Sequence, residues 1–241
     1  MIIKVCGLRD SENIRQVSEL GIDWIGMIFW PKSPRYVTMV PSGAGIMPDW
    51  APDVQSDFNS QNGQNDKNSQ VSQNVLDNQK RRPKRVGVFV DAMPQDIITR
   101  VVNFRLDLVQ LHGHESPTLI RNLKATLSDI RPVSIIKAIS ISCRQDVTAY
   151  KDYADCVDYF LFDTKCKTVG GSGEQFDWSV LDAYDGDKPY LLSGGIGPDD
   201  GPRLRSFSHP RCIGIDLNSR FETEPAVKDT SKLQQLLNSI R

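Results

Sequence analysis

The sequence lacks three features that mark whole classes of protein: an excess of charge of one sign, a long apolar run and paired cysteines. Its 241 residues have a formal net charge of −1, which excludes a general binder of nucleic acid or of anionic membranes, because such proteins need a basic surface. No apolar run approaches the roughly 20 residues of a membrane-spanning helix. The first residues, MIIKVCGL, predict a strand and not a secretion signal. We therefore expect a cytoplasmic protein that binds neither nucleic acid nor membrane.

Cysteines are few and unpaired. The five are scattered without a CxxC pair, which disfavours a disulfide framework or a zinc site and favours a reducing compartment. No cluster of histidine with acidic residues is compelling enough to predict a metal. The cysteines are Cys6, Cys143, Cys156, Cys166 and Cys212.

What the sequence does contain is an alternation of short apolar runs with helical patterns. Eight predicted strands, with helices in seven of the eight slots that follow them, indicate one (β/α)8 barrel spanning residues 1–241. An open doubly wound sheet could use the same alternation, but it usually has fewer strands and a GxGxxG turn after the first. Gly7-Leu8-Arg9 is no such turn, so the barrel is favoured.

The predicted strands are Ile2–Cys6, Asp23–Phe29, Arg85–Val90, Leu106–Leu111, Ser134–Ala138, Asp158–Phe162, Tyr190–Ser193 and Ile213–Leu217. The predicted helices are Ser11–Leu20, with Ser11 as N-cap, Pro94–Phe104, Pro117–Leu127, Gln145–Tyr153, Trp178–Ala183, Asp199–Ser206 and Asp229–Ile240.

One polar segment interrupts the alternation before the third strand. Of the 28 residues from Gln55 to Arg82, twelve are Asn or Gln and four are apolar. Such a segment buries too little surface to offset its ordering entropy, so we predict a disordered insertion. It would lie on the N-terminal, stability face of the barrel, where an insertion is tolerated; a partner-binding role is the alternative.

The stretch from Asp158 to Trp178 has the pattern of a catalytic strand end. A buried apolar strand runs into Asp163, and a glycine-rich loop, Gly170–Gly173, follows before Asp177 caps the next helix. Asp163 could act as an acid if burial raises its pKa. A solvated aspartate in a turn would give the same pattern.

Other polar residues fall where the strands of a barrel end. Cys6 ends the first strand, where a thiolate could act as a base, although most free cysteines are small buried hydrophobes. Arg35, Gln110 and His112 would line the mouth of the barrel as candidate substrate contacts. A solvated arginine and a structural histidine are the alternatives for the first and the last.

The loops after the last two strands predict a phosphate site. Gly194 and Gly195 allow backbone N–H groups to approach an anion near a helix start, and Asn218, Ser219 and Arg220 would add further donors beside them. Barrels commonly hold phosphate between these two loops. A simple turn at Ser193–Pro198 is the alternative.

Taken together, these segments resemble the phosphoribosylanthranilate isomerase family of tryptophan biosynthesis, a family of barrel enzymes. The likeness spans nearly the whole chain outside the insertion, and the order of the motifs is more specific than any one of them. The segments that carry it are Lys4–Leu8 (the family's K-I-C-G), Ser33–Arg35 (S-P-R), Arg85–Phe89, Gln110–Gly113, Asp163 with Gly170–Gly173 and Phe176–Trp178, Ser193–Ile196 and Gly214–Asp216.

This resemblance implies an Amadori rearrangement of N-(5-phosphoribosyl)anthranilate, with Cys6 as general base, Asp163 as general acid and Arg35 on the anthranilate. It implies no metal and no other cofactor, a small phosphoribosyl substrate as the partner, and a monomer or homodimer. Two positions depart from the family pattern: Ser172 stands for threonine, and Arg220 for a glycine in the last phosphate loop. Arg220 therefore has to fit the anion without glycine's freedom, or to contact it through its guanidinium.

Two alternatives stay open at this point. Another phosphosugar barrel enzyme, such as an indole-glycerol-phosphate lyase or synthase or a sugar-phosphate epimerase, would account for the phosphate loops but not for a cysteine–aspartate pair. A non-catalytic phosphosugar-binding protein organised around the polar insertion is the other.

Overall fold

The chain forms a closed barrel of eight parallel strands, ordered around the ring as they occur in the sequence. A computed structural model describes residues 1–38, 82–164 and 177–241. The predicted insertion up to residue 81 and the predicted loop Gly170–Gly173 lie outside these ranges. The strands are β1 (Ile2–Cys6), β2 (Trp24–Ile28), β3 (Lys84–Phe89), β4 (Leu108–Leu111), β5 (Ser134–Ile141), β6 (Tyr159–Thr164), β7 (Tyr190–Ser193) and β8 (Cys212–Leu217).

Helices connect the strands of this barrel. They are α1 (Ser11–Glu19), α2 (Pro94–Asn103), α3 (Pro117–Ile130), α4 (Arg144–Val147), α5 (Gly201–Ser206) and α6 (Thr230–Ile240), with 3-10 turns at Thr148–Asp152, Trp178–Ala183 and Ser219–Phe221. No helix in the described part of the chain is long and apolar enough to cross a membrane. The predicted (β/α)8 barrel is confirmed.

Several predicted boundaries are wrong for local reasons. The N-cap of α1 is Asp10, not Ser11, because the Asp10 carboxylate accepts the Asn13 N–H at 2.9 Å. The segment predicted as one helix from Gln145 begins as a single α-helical turn and then tightens into a 3-10 helix. Asp177 caps the next segment as predicted, but that segment is also a 3-10 helix.

Strand β6 is longer than its apolar run. The prediction ended it at Phe162, before Asp163, but the ladder with β5 continues through Asp163 to Thr164. Thr164 extends the strand because its hydroxyl donates to the carbonyl of Ser193 on the neighbouring strand at 2.8 Å. Asp163 therefore belongs to the strand, where the sheet fixes its direction.

Two clusters of buried apolar residues show which side chains face the barrel interior. A small inner cluster contains Trp24, Val86, Leu108, Leu161 and Leu191, and Ile2 and Tyr159 pack against it. A larger cluster fills the space between the strands and the helices, and includes the alternate residues Phe160 and Phe162. Because strand side chains alternate between faces, every second residue from these inner positions also points inward.

A short hairpin that the sequence analysis did not predict follows the barrel. β9 (Glu222–Glu224) pairs with β10 (Val227–Lys228) directly after β8. The Asn13 side chain of α1 holds it in place, donating to the Lys228 carbonyl at 2.9 Å and accepting the Lys228 N–H at 2.8 Å. This hairpin places Glu222 and Lys228 beside the loop that follows β1.

Candidate active site

Most inward-facing positions at the carboxyl ends of the strands are polar, in contrast to the apolar layer below them; Ile28 on β2 and Val88 on β3 are the apolar exceptions. Cys6 is in phase with Ile2 on β1, and Asp163 is in phase with Tyr159 and Leu161 on β6, so both lie on the inner face of the barrel. Both also lie at the end of the barrel where such enzymes carry their chemistry. The fold thus gives the predicted base and the predicted acid a common face.

A buried ion pair lies next to Cys6. Lys4 Nζ donates to Asp216 Oδ1 at 2.7 Å, with side-chain exposures of 0% and 7%, and Ser193 Oγ donates to the other carboxylate oxygen at 3.2 Å. Burial acts to lower the pKa of Lys4, but Asp216 and Cys6 outweigh burial and raise it, so Lys4 is a cation. A positive charge is therefore fixed beside the thiol.

The Cys6 thiol is buried, with a relative exposure of 4%. Burial raises the pKa of the thiol above its ordinary value of 9.0, while the charges of Lys4 and Lys228 lower it, and the net shift is upward. The sulfur is therefore a protonated thiol in the protein at neutral pH. Forming the thiolate costs free energy because the sulfur is buried, and the ammonium groups of Lys4 and Lys228 reduce that free-energy cost.

Removing one partner of the Lys4–Asp216 pair should destabilise the barrel strongly. We expect Lys4→Met to lower the free energy of unfolding by about 3–5 kcal/mol, because it leaves the Asp216 carboxylate buried without its partner. The combined Lys4→Met and Asp216→Leu replacement should recover most of that loss. Urea unfolding measures both, and equal stability of Lys4→Met and the unchanged protein would contradict the prediction.

Asp163 on β6 lies beside His112, which follows β4. Their side chains keep exposures of 20% and 31%, and His112 Nε2 is 3.6 Å from Asp163 Oδ2. The Gln110 side-chain amide lies 3.1 Å from His112 Nδ1, within hydrogen-bond distance. The three predicted residues Gln110, His112 and Asp163 are thus brought together.

Arg35 is brought to the loop after β1, where a second carboxylate holds it. Its Nε and Nη2 atoms donate to the two carboxylate oxygens of Glu222 at 2.8 and 2.5 Å. Lys228 Nζ donates to the same carboxylate at 2.6 Å and is fully buried. Burial acts to raise the pKa of Glu222, but Arg35 and Lys228 lower it, so Glu222 is ionised.

Sequence reasoning missed Glu222 and Lys228. They are separated from Arg35 by nearly the length of the chain, and nothing in their local pattern indicates an ion pair. The available signal was Pro225-Ala226 between them, which marks a turn and hence two short strands returning on each other. The backbone of Ala226, with φ of 74°, forms that turn.

The two loops predicted to hold phosphate are adjacent. A Cβ built at Gly197 would lie 3.1 Å from Arg220 Cδ, so the Arg220 side chain packs against the loop after β7. Gly194 has φ of 99°, and a Cβ there would lie 2.1 Å from the Thr164 carbonyl oxygen, so this position requires glycine. Gly195, with φ of 65°, has open space where its Cβ would be.

Some polar groups of these two loops already have hydrogen-bond partners within the protein. Asp200 accepts the Gly197 N–H at 2.7 Å, and the helix begins at Gly201 and not at the predicted Asp199. Asn218 Oδ1 accepts from Lys228 Nζ at 2.8 Å, while Ser219 and Arg220 are exposed. The groups open toward an anion are therefore the Gly195 backbone and the exposed turn at Ser219–Arg220.

Within residues 1–38, 82–164 and 177–241, no group of three or more histidine, cysteine or acidic side chains is placed to bind a metal ion. The described cysteines, Cys6, Cys143, Cys156 and Cys212, are free thiols. Cys166 lies outside the described residues.

Comparison with known proteins gives one consistent result. The family described as N-(5'phosphoribosyl)anthranilate (PRA) isomerase matches residues 51–239. The isomerase of Parabacteroides distasonis is 41% identical over 240 residues, covering 100% of this chain and 93% of the relative. The Phocaeicola vulgatus isomerase is 38% identical over 241 residues, covering 100% and 98%.

Solved structures agree with the sequence comparison. The Thermotoga maritima phosphoribosyl anthranilate isomerase is 26% identical, with a TM-score of 0.68, and covers 100% of this chain and 98% of its own. The Thermus thermophilus enzyme has a TM-score of 0.69 at 23% identity, which shows the fold alone. From the family match, the 41% identity over the whole chain and the shared barrel, we conclude that the chain belongs to the N-(5'-phosphoribosyl)anthranilate isomerase family.

Proposed function

We propose that Cys6 and Asp163 are the general base and general acid of the isomerase reaction, and that Arg35 and the last two loops bind the two anionic ends of the substrate. The chain is an isomerase of tryptophan biosynthesis, converting N-(5'-phosphoribosyl)anthranilate into 1-(2-carboxyphenylamino)-1-deoxyribulose 5-phosphate. The observation that carries the assignment of roles is the shared inner face of Cys6 and Asp163 at the carboxyl end of the barrel.

The reaction requires an acid and then a base. Asp163 donates a proton to the ribose ring oxygen, the bond from that oxygen to C1 breaks, and the lone pair of the anthranilate nitrogen forms the C1=N bond of a Schiff base. Cys6 as thiolate then removes the proton from C2, the electrons of that C–H bond form the C1=C2 bond of an enolamine, and the π electrons of the C1=N bond return to the nitrogen. Tautomerisation of the enol to the ketone gives the product.

His112 and Gln110 support the acid. His112, whose Nε2 lies 3.6 Å from Asp163 Oδ2, would stabilise the carboxylate that remains after proton transfer. We propose that His112 and Gln110, which lie next to Asp163, also contact the ribose of the substrate. The exposed fraction of Asp163 leaves its carboxyl group open to the barrel mouth.

The phosphate end is proposed to bind between the last two loops. The Gly195 backbone and the Ser219–Arg220 turn are open to solvent, and Gly194 and Asn218 shape the loops behind them. Arg220 stands next to Gly197, so its guanidinium is placed to add a charge-assisted contact. Binding energy from the remote phosphate then orients the reacting carbons.

The raised pKa of Cys6 predicts an alkaline rate profile. A thiol with a pKa of 9.0 is about 1% thiolate at pH 7, and a higher pKa lowers this fraction further. Since the base must be deprotonated, we expect kcat/KM to rise by up to about tenfold per pH unit from pH 7 toward the Cys6 pKa. Substrate deuterated at C2 should show a primary isotope effect over the same range. A flat profile together with that isotope effect would contradict Cys6 as the base.

The polar segment Gln55–Arg82 is proposed to be dispensable for catalysis. Strand β3 begins at Lys84, at the end of the barrel away from Cys6 and Asp163, so the segment leads into the face that carries stability. We expect deletion of residues 55–82, rejoined by a short linker, to keep turnover within about twofold, as a loop change remote from the site. The fall in substrate fluorescence on conversion measures this, and loss of activity by a folded deletion variant would favour a partner-binding or catalytic role.

The proposed partner is the small phosphoribosyl substrate, in a monomer or a homodimer. One solved isomerase of similar fold contains reduced 1-(o-carboxyphenylamino)-1-deoxyribulose 5-phosphate, and the Thermotoga maritima enzyme is described as dimeric. Neither a metal nor another cofactor takes part in the steps proposed here. A reducing cytosol is the proposed setting, because the base is a free thiol.

A further inference from the structure

Among the described residues, Glu222 holds the Arg35 guanidinium along one edge, and no other residue contacts it there through a hydrogen bond. Its bonds to Glu222 use Nε and Nη2, at 2.8 and 2.5 Å, with side-chain exposures of 19% for Arg35 and 6% for Glu222. A guanidinium has five N–H donors in a planar fork, and a carboxylate on the Nε edge leaves the edge formed by Nη1 and the second Nη2 hydrogen for another carboxylate. Glu222 therefore orients the group without using up its binding capacity.

Glu222 is itself fixed from the other side. Lys228 Nζ contacts Glu222 Oε1 at 2.6 Å and Asn218 Oδ1 at 2.8 Å, and the Ala226 N–H lies 3.3 Å from Glu222 Oε1. The Lys228 backbone is in turn held in both directions by Asn13 of α1. A continuous set of hydrogen bonds thus connects a barrel helix to the Arg35 guanidinium.

The Arg35 stem is also confined. Gly7 has φ of 79°, and a Cβ there would lie 2.6 Å from Arg35 Cδ and 2.8 Å from Asn218 Oδ1. The stem therefore passes directly over the residue that follows Cys6, and only glycine permits this approach. A carboxylate bound on the open edge of Arg35 would lie near the thiol that removes the substrate proton.

We propose that Glu222, held by Lys228, is a positioning residue that presents the open edge of Arg35 to the substrate carboxylate and so selects ribosylated amines that carry an anionic aromatic ring. This inference rests on the proposed role of Arg35 as the group that binds the anthranilate carboxylate. Charge supports it: Glu222 and Lys228 neutralise one another, and the remaining positive charge of Arg35 matches one carboxylate.

A competing role of Glu222 predicts the opposite change in the affinity for carboxylated ligands. If Glu222 occupied the place of the substrate carboxylate, removing it would tighten the binding of carboxylated ligands. If Glu222 positions Arg35, removing Glu222 frees the long Arg35 side chain to adopt other rotamers. The ligand must then order that side chain when it binds, which weakens the binding of carboxylated ligands. The replacement must keep the charge of the cluster constant, so that a change in electrostatic attraction does not obscure the result.

The combined replacement Glu222→Gln and Lys228→Met meets this condition, because it removes one negative and one positive charge. Two ligands separate carboxylate recognition from the rest: reduced 1-(2-carboxyphenylamino)-1-deoxyribulose 5-phosphate, and the same compound with phenylamine in place of the anthranilate. Inhibition constants for both are measured on the unchanged enzyme, the double variant, Glu222→Gln alone, Arg35→Ala and the triple variant. Glu224→Gln, an exposed acid on the same hairpin, is the matched control.

We expect the double variant to bind the carboxylated ligand roughly 10- to 100-fold more weakly, the range for a hydrogen bond to a charged group, and the ligand without the carboxylate within about twofold of normal. Glu222→Gln alone should show the same selective loss. Arg35→Ala should show it as well, and the triple variant should lose nothing further. Glu224→Gln should leave both constants unchanged.

Each other outcome contradicts a distinct claim. Equal weakening of both ligands by the double variant, no change or tighter binding would overturn the positioning role of Glu222, provided that Arg35→Ala still discriminates between the ligands. If Arg35→Ala itself fails to discriminate, the proposed role of Arg35 is wrong. Unfolding midpoints of the variants show whether Glu222→Gln alone, which leaves Lys228 buried without an ionic partner, has lost its fold. In that case the double variant gives the result.

Discussion

Replacing Cys6 with serine is expected to lower kcat by about 10²- to 10⁴-fold, the range for loss of a positioned general base. The hydroxyl fills nearly the same space as the thiol, so the barrel should remain folded. A serine hydroxyl ionises far less readily than a thiol, and the Lys4 ammonium cannot close that gap. Turnover is measured by the fall in substrate fluorescence, and the affinity for the reduced product analogue should stay within a few-fold of normal.

The matched control is another cysteine of the barrel. Cys212 begins β8 at the opposite end of the barrel, and Cys212→Ser should keep normal turnover. The rise of kcat/KM with pH should disappear in Cys6→Ser and persist in the control. Near-normal activity of Cys6→Ser would end the assignment of Cys6 as the base.

The barrel was predictable because its signal is local. Each of the eight strands is a short apolar run, and the closed ring of parallel strands confirms them in order. The errors lie at boundaries, where local hydrogen bonds decide. β5 continues three residues beyond Ala138, and the cap of α1 falls one residue before Ser11. Such shifts depend on individual contacts, which apolar periodicity does not contain.

The site was predictable only in part, for a physical reason. A position at a strand end can be found in the sequence, and this placed Cys6, Gln110 and Gly194 on the site face. The partner of a charged group is set by the fold: Asp216 is 212 residues from Lys4, and Glu222 is 187 residues from Arg35. Pairings at that separation leave no periodic trace in the sequence.

Burial also modified the chemistry expected of the thiol. A cysteine at a strand end predicts an accessible thiolate, but the sulfur is buried and the upward shift of its pKa makes the thiol the resting form. The buried ammonium of Lys4 beside it limits the cost of forming the thiolate. The two interpretations of a free cysteine, a small buried side chain and a general base, therefore both apply to Cys6.

Replacing Asp163 with asparagine is expected to reduce kcat by about 10²- to 10⁴-fold, because the amide keeps the shape of the carboxyl group but its N–H groups are not acidic enough to transfer a proton to the ring oxygen. The contact with His112 can persist through the amide oxygen, so the geometry around β6 should be preserved. Binding of the reduced product analogue should change little, since that ligand is already open and needs no proton from Asp163.

Asp158 is the matched control, because it immediately precedes the same strand at its other end. Its carboxylate accepts the Ile135 N–H at 2.8 Å and pairs with Lys124 at 2.6 Å. Asp158→Asn should therefore lower the unfolding midpoint while kcat stays within about twofold, the pattern of a stability-face residue. Asp163→Asn should instead lower kcat strongly while the unfolding midpoint stays nearly unchanged. If the two variants lost stability and activity in the same proportion, the loss at Asp163 would be structural, and the acid would have to be sought elsewhere on the inner face of the barrel.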